Sequence, residues 1–254
     1  MARLILVHGA FCSGTVWGSA AVHGLEQLGH SVEVVDLPSH GRDGTPKTDV
    51  TLDLYAEALA AVAQSKPEPP VLVGHSMAGL VITQAAENVI AAGGQIAGLI
   101  YVAAVLPRDG KAQNDYTTLP EGEGDGLRGA LTLSDTSPRI ATLNPEIGAA
   151  TIFADLDQGQ AELLALNFEP QTVRVLFTPI HIEDDRPIPR GYMLCTRDRA
   201  IPTALQRRMV AETPGVRVVE LDSDHSPFLS HPDDFVSALD ELLDDVRVVA
   251  TNGS

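Results

Sequence analysis

The stretch VLVGHSMAGL, residues 71–80, runs apolar, turns through a glycine-bounded serine, and becomes apolar again. Val71, Leu72 and Val73 read as a buried strand, and Leu80, Val81 and Ile82 as the continuation of an apolar helix. A sharp turn between the two lifts the hydroxyl of Ser76 clear of both. Gly74, Ala78 and Gly79 are small enough to let strand and helix close around it. A serine hydroxyl is a weak nucleophile in water. It becomes a useful one when a base reaches its proton and backbone N–H groups face the carbonyl under attack. The strict pattern has glycine where Ala78 stands, so the flanking strand and helix carry this reading more than the motif does.

Outward from this turn, short apolar strands alternate with amphipathic helices. Leu4–Val7 reads as the first strand, followed by the loop HGAFCSGTVW and a helix from about residue 14 to 28, in which Trp17, Ala21, Leu25 and Leu28 share a face. Ser31–Val35 is the second strand, and DLPSHGRDGTP a Pro- and Gly-rich loop whose His40 is read as structural or solvated. A helix carries Leu52, Tyr55, Leu59 and Val62. The central strand and turn come next, then a helix to about Ala92 and a buried strand over Ala97–Ala103. This order implies a parallel sheet covered by helices on both faces.

The rhythm breaks after Ala104. Residues 106–150 are rich in Gly, Pro, Asp and Thr, and 151–177 show helical spacing in Ile152, Leu156, Leu163, Leu164 and Leu166. An insertion of this size is expected to form a cap over the sheet edge, with Tyr116, Phe153, Phe168 and Phe177 as candidate pocket or cap-core residues. The sheet resumes at Gly191–Thr196. Pro202 opens a helix that buries Leu205 and Met209, and Val216–Leu221 is the last strand. A final helix from Pro232 buries Phe235, Leu239, Leu242 and Leu243, and residues 247–254 are read as a frayed tail. The expected division is a core of residues 1–105 and 190–246 with a cap of 106–189 inserted in a single domain.

At 254 residues the chain suffices for one such domain. No run approaches the ~18 apolar residues of a membrane helix. The short apolar run before His8 is too brief for a signal-peptide core, so a cytoplasmic location is expected. With 17 Lys and Arg against 34 Asp and Glu, the net charge is −17, a field that repels nucleic acid and acidic membranes. The acidic excess between Leu106 and Pro189 favours a neutral or cationic substrate, and it also serves solubility. Cys12 and Cys195 follow or end strands that are not neighbours, about 14 Å apart at ~4.8 Å per strand, so reduced buried thiols are expected. A reactive thiol at Cys12 is the alternative.

A nucleophilic serine needs a histidine and a carboxylate. His225 directly follows the last strand, on the edge of the sheet where Ser76 stands. His231 sits at a helix start and reads as structural. Asp198 follows the next-to-last strand on that same edge and is favoured over Asp222 and Asp224, which are too close in sequence to reach the far nitrogen of His225. The backbone N–H groups of Met77 and Ala10 are the candidate oxyanion donors, with His8 and Gly9 allowing close approach. His75 is read as pointing away from Ser76 in a packing role. Gly9, Phe11, Phe153 and Phe168 are the candidate substrate contacts.

LILVHGAFCSGTVW, DLPSHG, GHSMAG, YMLCTRDRAIP and SDHSPF together resemble the α/β-hydrolase superfamily, in particular its branch of plant methyl esterases, hydroxynitrile lyases and bacterial pyrethroid-type esterases. The likeness runs over nearly the whole chain and is weakest in the cap, where ADLDQGQAELLALNFEPQ carries it. It implies an α/β-hydrolase fold with a mainly parallel six-stranded sheet and a cap after the fourth strand. It also implies a triad of Ser76, Asp198 and His225 in the chain order serine, acid, histidine, with no metal or organic cofactor and a small-molecule ester as substrate. The lyases of this branch carry threonine where this chain has Gly9, and lysine where it has Ser226. The resemblance therefore implies a serine esterase acting on a small, largely apolar ester. The alternatives are lyase chemistry, acyl transfer or cyclisation of a natural product, and a ligand-binding receptor on the same scaffold. A homodimer is the assembly left open.

Overall fold

The strands RLILV, VLVGH and GLIYV are buried along their whole length, which only a sheet covered on both faces can satisfy. The computed structural model describes residues 1–183 and 188–252 and has that architecture. In chain order the first elements are β1 (Arg3–Val7), α1 (Ser19–Gln27), β2 (Ser31–Val35), α2 (Leu52–Ala63), β3 (Val71–His75), α3 (Ala78–Ala91) and β4 (Gly98–Val102). An insertion follows, with α4 (Gln113–Thr117), β5 (Leu131–Leu133), β6 (Ile140–Leu143), α5 (Pro145–Ile152), α6 (Gln158–Ala165), β7 (Gln171–Thr172) and α7 (Arg174–Phe177). The chain returns through β8 (Arg190–Cys195), α8 (Thr203–Ala211), β9 (Arg217–Leu221), α9 (Pro227–Ser230) and α10 (Pro232–Asn252).

The main sheet has six strands in the order β2-β1-β3-β4-β8-β9, every neighbouring pair parallel. Side chains alternate between its faces. Ile5, Val7, Leu72, Leu99, Tyr101, Tyr192 and Leu194 pack with α2, α3 and α8, while Leu4, Leu6, Val71, Val73, Ile100, Val102 and Met193 pack with α1 and α10. The strand order reverses between β1 and β3. The loops leaving their C-terminal ends therefore diverge there, and the crevice between them is the natural binding site of such a sheet.

Helix starts follow local chemistry. Thr51, Asn144 and Asp157 each accept a hydrogen bond from a backbone N–H three residues on, at 3.0, 3.1 and 3.1 Å, before α2, α5 and α6. Asp233 and Asp234 in the first turn of α10 face the positive end of its dipole.

Three expectations change. The helix read from about residue 14 is a 3₁₀ turn over Gly14–Trp17 and then α1, broken at Gly18 with φ +68°. The break allows Trp17 to be fully buried against Phe228, with ring centroids 4.5 Å apart. The insertion also holds a three-stranded antiparallel sheet, β5-β6-β7, in addition to helices, and Leu163 and Leu166, two of the residues read at helical spacing, are exposed at 67% and 76%. Its strands are two to four residues long and too polar to show periodicity. Finally, α10 continues through Asn252 where a frayed tail was expected from residue 247, since no Gly or Pro interrupts it before Gly253. Residues 253 and 254 lie outside the described residues.

Candidate active site

β3 drives straight into the Ser76 turn, and the turn is strained. Ser76 has φ +57°, a left-handed conformation that L residues rarely hold. Its backbone is tied down on both sides. The N–H donates to Val102 O at 3.2 Å, and the carbonyl accepts from Gly79 N at 3.2 Å and Val105 N at 3.0 Å. A Cβ on Gly79 would stand 1.8 Å from Val105 O, so the closest approach of helix to neighbouring loop falls there. That explains Ala78: its methyl is fully buried without conflict, and the glycine the turn needs is one position later.

His225 is carried by the loop after β9 and is 1% exposed. Its Nδ1 pairs with Asp198 Oδ2 at 2.8 Å. The Asp198 carboxylate also accepts from Ala200 N at 2.7 Å, Ile201 N at 2.9 Å and Gln206 Nε2 at 3.0 Å, which fixes its orientation. Gln206, missed by the sequence reading, lies on the inward face of α8 and ties β8 to this carboxylate. The two rival acids are engaged elsewhere. Asp224 accepts from the backbone of Asp155 and Ser226 and from Ser230 Oγ, and Asp222 meets Thr196 and Arg197. His231 pairs with Ser230 Oγ, outside the site.

Ser76 and His225 face one cavity of about 330 Å³. Ser76 Oγ makes no hydrogen bond to another group among the described residues, a common state of such sites without substrate. Ala10 lines the same cavity, and neither its backbone N–H nor that of Met77 donates to another protein group among the described residues. Met77 also caps α3, where the helix dipole favours negative charge. Gly9 makes this arrangement sterically possible. A Cβ there would come within 2.8 Å of Ser76 Cβ and 3.1 Å of His75 Nδ1.

His75 donates from Nε2 to the carbonyl of His225 at 2.9 Å, and the two rings lie 4.5 Å apart. Burial, followed by the charge of His225, holds its pKa well below the usual value, so it packs as a neutral ring. His8 and His40 form a second buried pair, with ring centroids 5.0 Å apart. Burial pushes them down to about 4 and about 3. Of the two readings of His40, the structural one holds, since it is fully buried beside Tyr55. Cys12 also lines the cavity. Burial, with the charge of Glu169, pushes its thiol up to about 12, and both cysteines are free and buried.

Phe11 lines the cavity, as the sequence suggested, with Phe177 at its wall. Phe153 and Phe168 do not. They stack on each other, with centroids 5.7 Å apart and planes at 14°, beside a separate small pocket with Cys12 and Val16. Apolar aromatics in an insertion pack first against each other, which periodicity does not reveal. Gly9 likewise acts through the space it leaves rather than as a cavity wall. The sequence reading also missed the polar cavity residues Gln113, Asp125 and Arg128, which lie in its least regular stretch. No group of three or more His, Cys, Asp or Glu side chains is placed to hold a metal ion among the described residues.

Comparison with known proteins identifies the family of the fold. A pyrethroid hydrolase of Sphingobium wenxiniae is 30% identical over 255 residues, covering 95% of this chain and 87% of that protein. Methylesterase 7 of Arabidopsis thaliana is 28% identical over 261 residues, covering 95% and 96%. The crystal structure of a pyrethroid hydrolase from Sphingobium faniae superposes with a TM-score of 0.82 at 27% identity, covering 96% of this chain and 97% of that one. The model of the alpha/beta hydrolase family matches residues 4–238, so the chain, with its six-stranded parallel sheet and strained serine turn, belongs to that family.

Proposed function

We propose that the protein hydrolyses small, largely apolar carboxylic esters through Ser76, His225 and Asp198. The observation that carries this reading is the 2.8 Å Asp198–His225 pair opening onto the same cavity as the strained Ser76. In this mechanism His225 Nε2 takes the Ser76 proton as Oγ attacks the ester carbonyl, while Asp198 holds Nδ1–H and sets the tautomer. The N–H groups of Met77 and Ala10 receive the oxyanion. His225 then protonates the departing alkoxide, and water, activated by the same imidazole, releases the acid from the acyl-enzyme. The names of the relatives, a pyrethroid hydrolase and methylesterases, support ester hydrolysis as the class of reaction.

Two observations favour hydrolysis over lyase chemistry. A side chain at position 9 would collide with Ser76, and Ser226, where the lyases have lysine, is fully buried beside Asp224. Neither position can present a further polar group to the substrate. Ser76→Ala is expected to abolish hydrolysis of short p-nitrophenyl esters and labelling by a fluorophosphonate probe, with an unchanged circular dichroism spectrum. Undiminished turnover in that variant would sink the mechanism.

A further inference from the structure

The two N–H groups assigned to the oxyanion are held in different ways. Met77 stands at the start of α3, so the helix fixes the direction of its N–H. Ala10 lies in the loop after β1, and the peptide that carries its N–H joins it to Gly9. Glycine is required at position 9, because a Cβ there would come within 2.8 Å of Ser76 Cβ. It is also the residue whose backbone turns most freely, so the plane of the next peptide needs another restraint. His8, fully buried, supplies one. Its Nε2 accepts the Leu37 N–H at 3.0 Å. A neutral imidazole has one acceptor and one donor, so the proton is on Nδ1, and Nδ1–H donates to the Gly9 carbonyl at 2.8 Å. No other donor reaches that carbonyl among the described residues.

A trans peptide points its C=O and N–H in opposite directions. With the Gly9 carbonyl held against the His8 ring, the Ala10 N–H is turned to the other side, and Ala10 lines the Ser76 cavity. A hydrogen bond to the oxygen also polarises the amide and strengthens its N–H as a donor. Downstream the loop is tied to the insertion, where the Glu169 N–H donates to Phe11 O at 2.8 Å. Burial holds the pKa of His8 down to about 4, so the ring keeps one donor and one acceptor at neutral pH. We propose that His8 is a positioning residue for ester hydrolysis: its Nδ1–H clamps the Gly9 carbonyl and so aims the Ala10 N–H at the developing oxyanion. This rests on the esterase reading above and deepens it.

The test separates the two ring nitrogens. His8→Gln sets an amide oxygen near the place of Nε2, which keeps the Leu37 bond and loses the donor to Gly9. His8→Asn sets an amide NH₂ near the place of Nδ1, which keeps the donor and loses the Leu37 bond. Each is read with phenethyl trifluoromethyl ketone and with phenethyl methyl ketone. In the first, Ser76 Oγ bonds to the carbonyl carbon, its proton passes to His225 and the carbonyl oxygen becomes an oxyanion; the second binds as the ketone. His8→Gln is expected to weaken the trifluoromethyl ketone and to lower kcat on p-nitrophenyl acetate, each by about tenfold, with affinity for the methyl ketone unchanged. His8→Asn should recover most of both losses, although it gives up a hydrogen bond of its own. Should neither variant fold, nitrogen NMR of the native enzyme reads the His8 tautomer directly: a proton on Nδ1 supports the clamp, and one on Nε2 overturns it. Equal inhibition of native enzyme and His8→Gln, or a loss in His8→Asn as large as in His8→Gln, overturns the proposal while leaving ester hydrolysis standing. A native chain that turns over no ester and takes no fluorophosphonate label overturns both.

Discussion

Asp198 shows how much a single carboxylate can be made to hold. Four donors converge on it, from two backbone N–H groups, Gln206 and His225, so the imidazole is fixed from one side by a group that cannot itself turn. Asp198→Asn preserves the size of the side chain but sets an amide N–H against Nδ1, which forces the imidazole into the wrong tautomer. The expected result is a fall in kcat of about 10⁴ with little change in KM, read from stopped-time assays on p-nitrophenyl acetate. An unaltered kcat would mean that another acid serves His225. Asp198 was legible in the sequence because it directly follows a strand and is too far along the chain from His225 to be a local turn partner. Gln206 and Asp125 were not legible. One looks like any polar residue in a helix, the other like any acid in a glycine-rich loop, and only the folded chain shows what each faces.

Among the elements, α10 and the loop before α1 meet in a cluster that bears directly on the site. Trp17 contacts Phe228 and Phe235 at centroid distances of 4.5 and 6.0 Å, and His75 contacts Phe228 edge-on at 4.9 Å. The ring that holds the His225 carbonyl is thus braced by Trp17 and Phe228, and Phe235 packs against both. Truncating Phe235 to Ala leaves a void in a fully buried position and is expected to cost about 3–5 kcal/mol, measured by urea denaturation. A loss below about 1 kcal/mol would show that the cluster relaxes to fill the space. The strands and helices of the sheet were readable because burial on both faces makes the central strands continuous apolar runs and gives the helices an apolar face at helical spacing. The insertion was not, because its elements are short and its residues pack mostly on one another.

Across the whole molecule, the neutral buried histidines make stability depend on pH. His8 titrates near 6.5 when unfolded and near 4 when folded, chiefly through burial, so between these values the unfolded chain binds more protons. Its stabilisation is complete above pH 6.5 and is lost as pH falls towards 4, a loss of about 2 kcal/mol by pH 5. His40, held down to about 3, extends the loss to lower pH. The urea midpoint should therefore drop between pH 7 and pH 5, and His8→Gln, which keeps an acceptor for the Leu37 N–H, should flatten the drop. Equal pH slopes for both proteins would exclude His8 as the source. By itself the sequence determined the alternation of strands and helices, the serine turn and the two residues that follow β8 and β9, because each is written in local spacing that burial and chain connectivity enforce. Tertiary structure alone decided that Gln206 braces Asp198, why Ala78 is tolerated, which phenylalanines leave the cavity, and that Gln113 and Asp125 line it. Those outcomes depend on contacts between residues distant in the chain, and a contact across the fold leaves no period in the sequence.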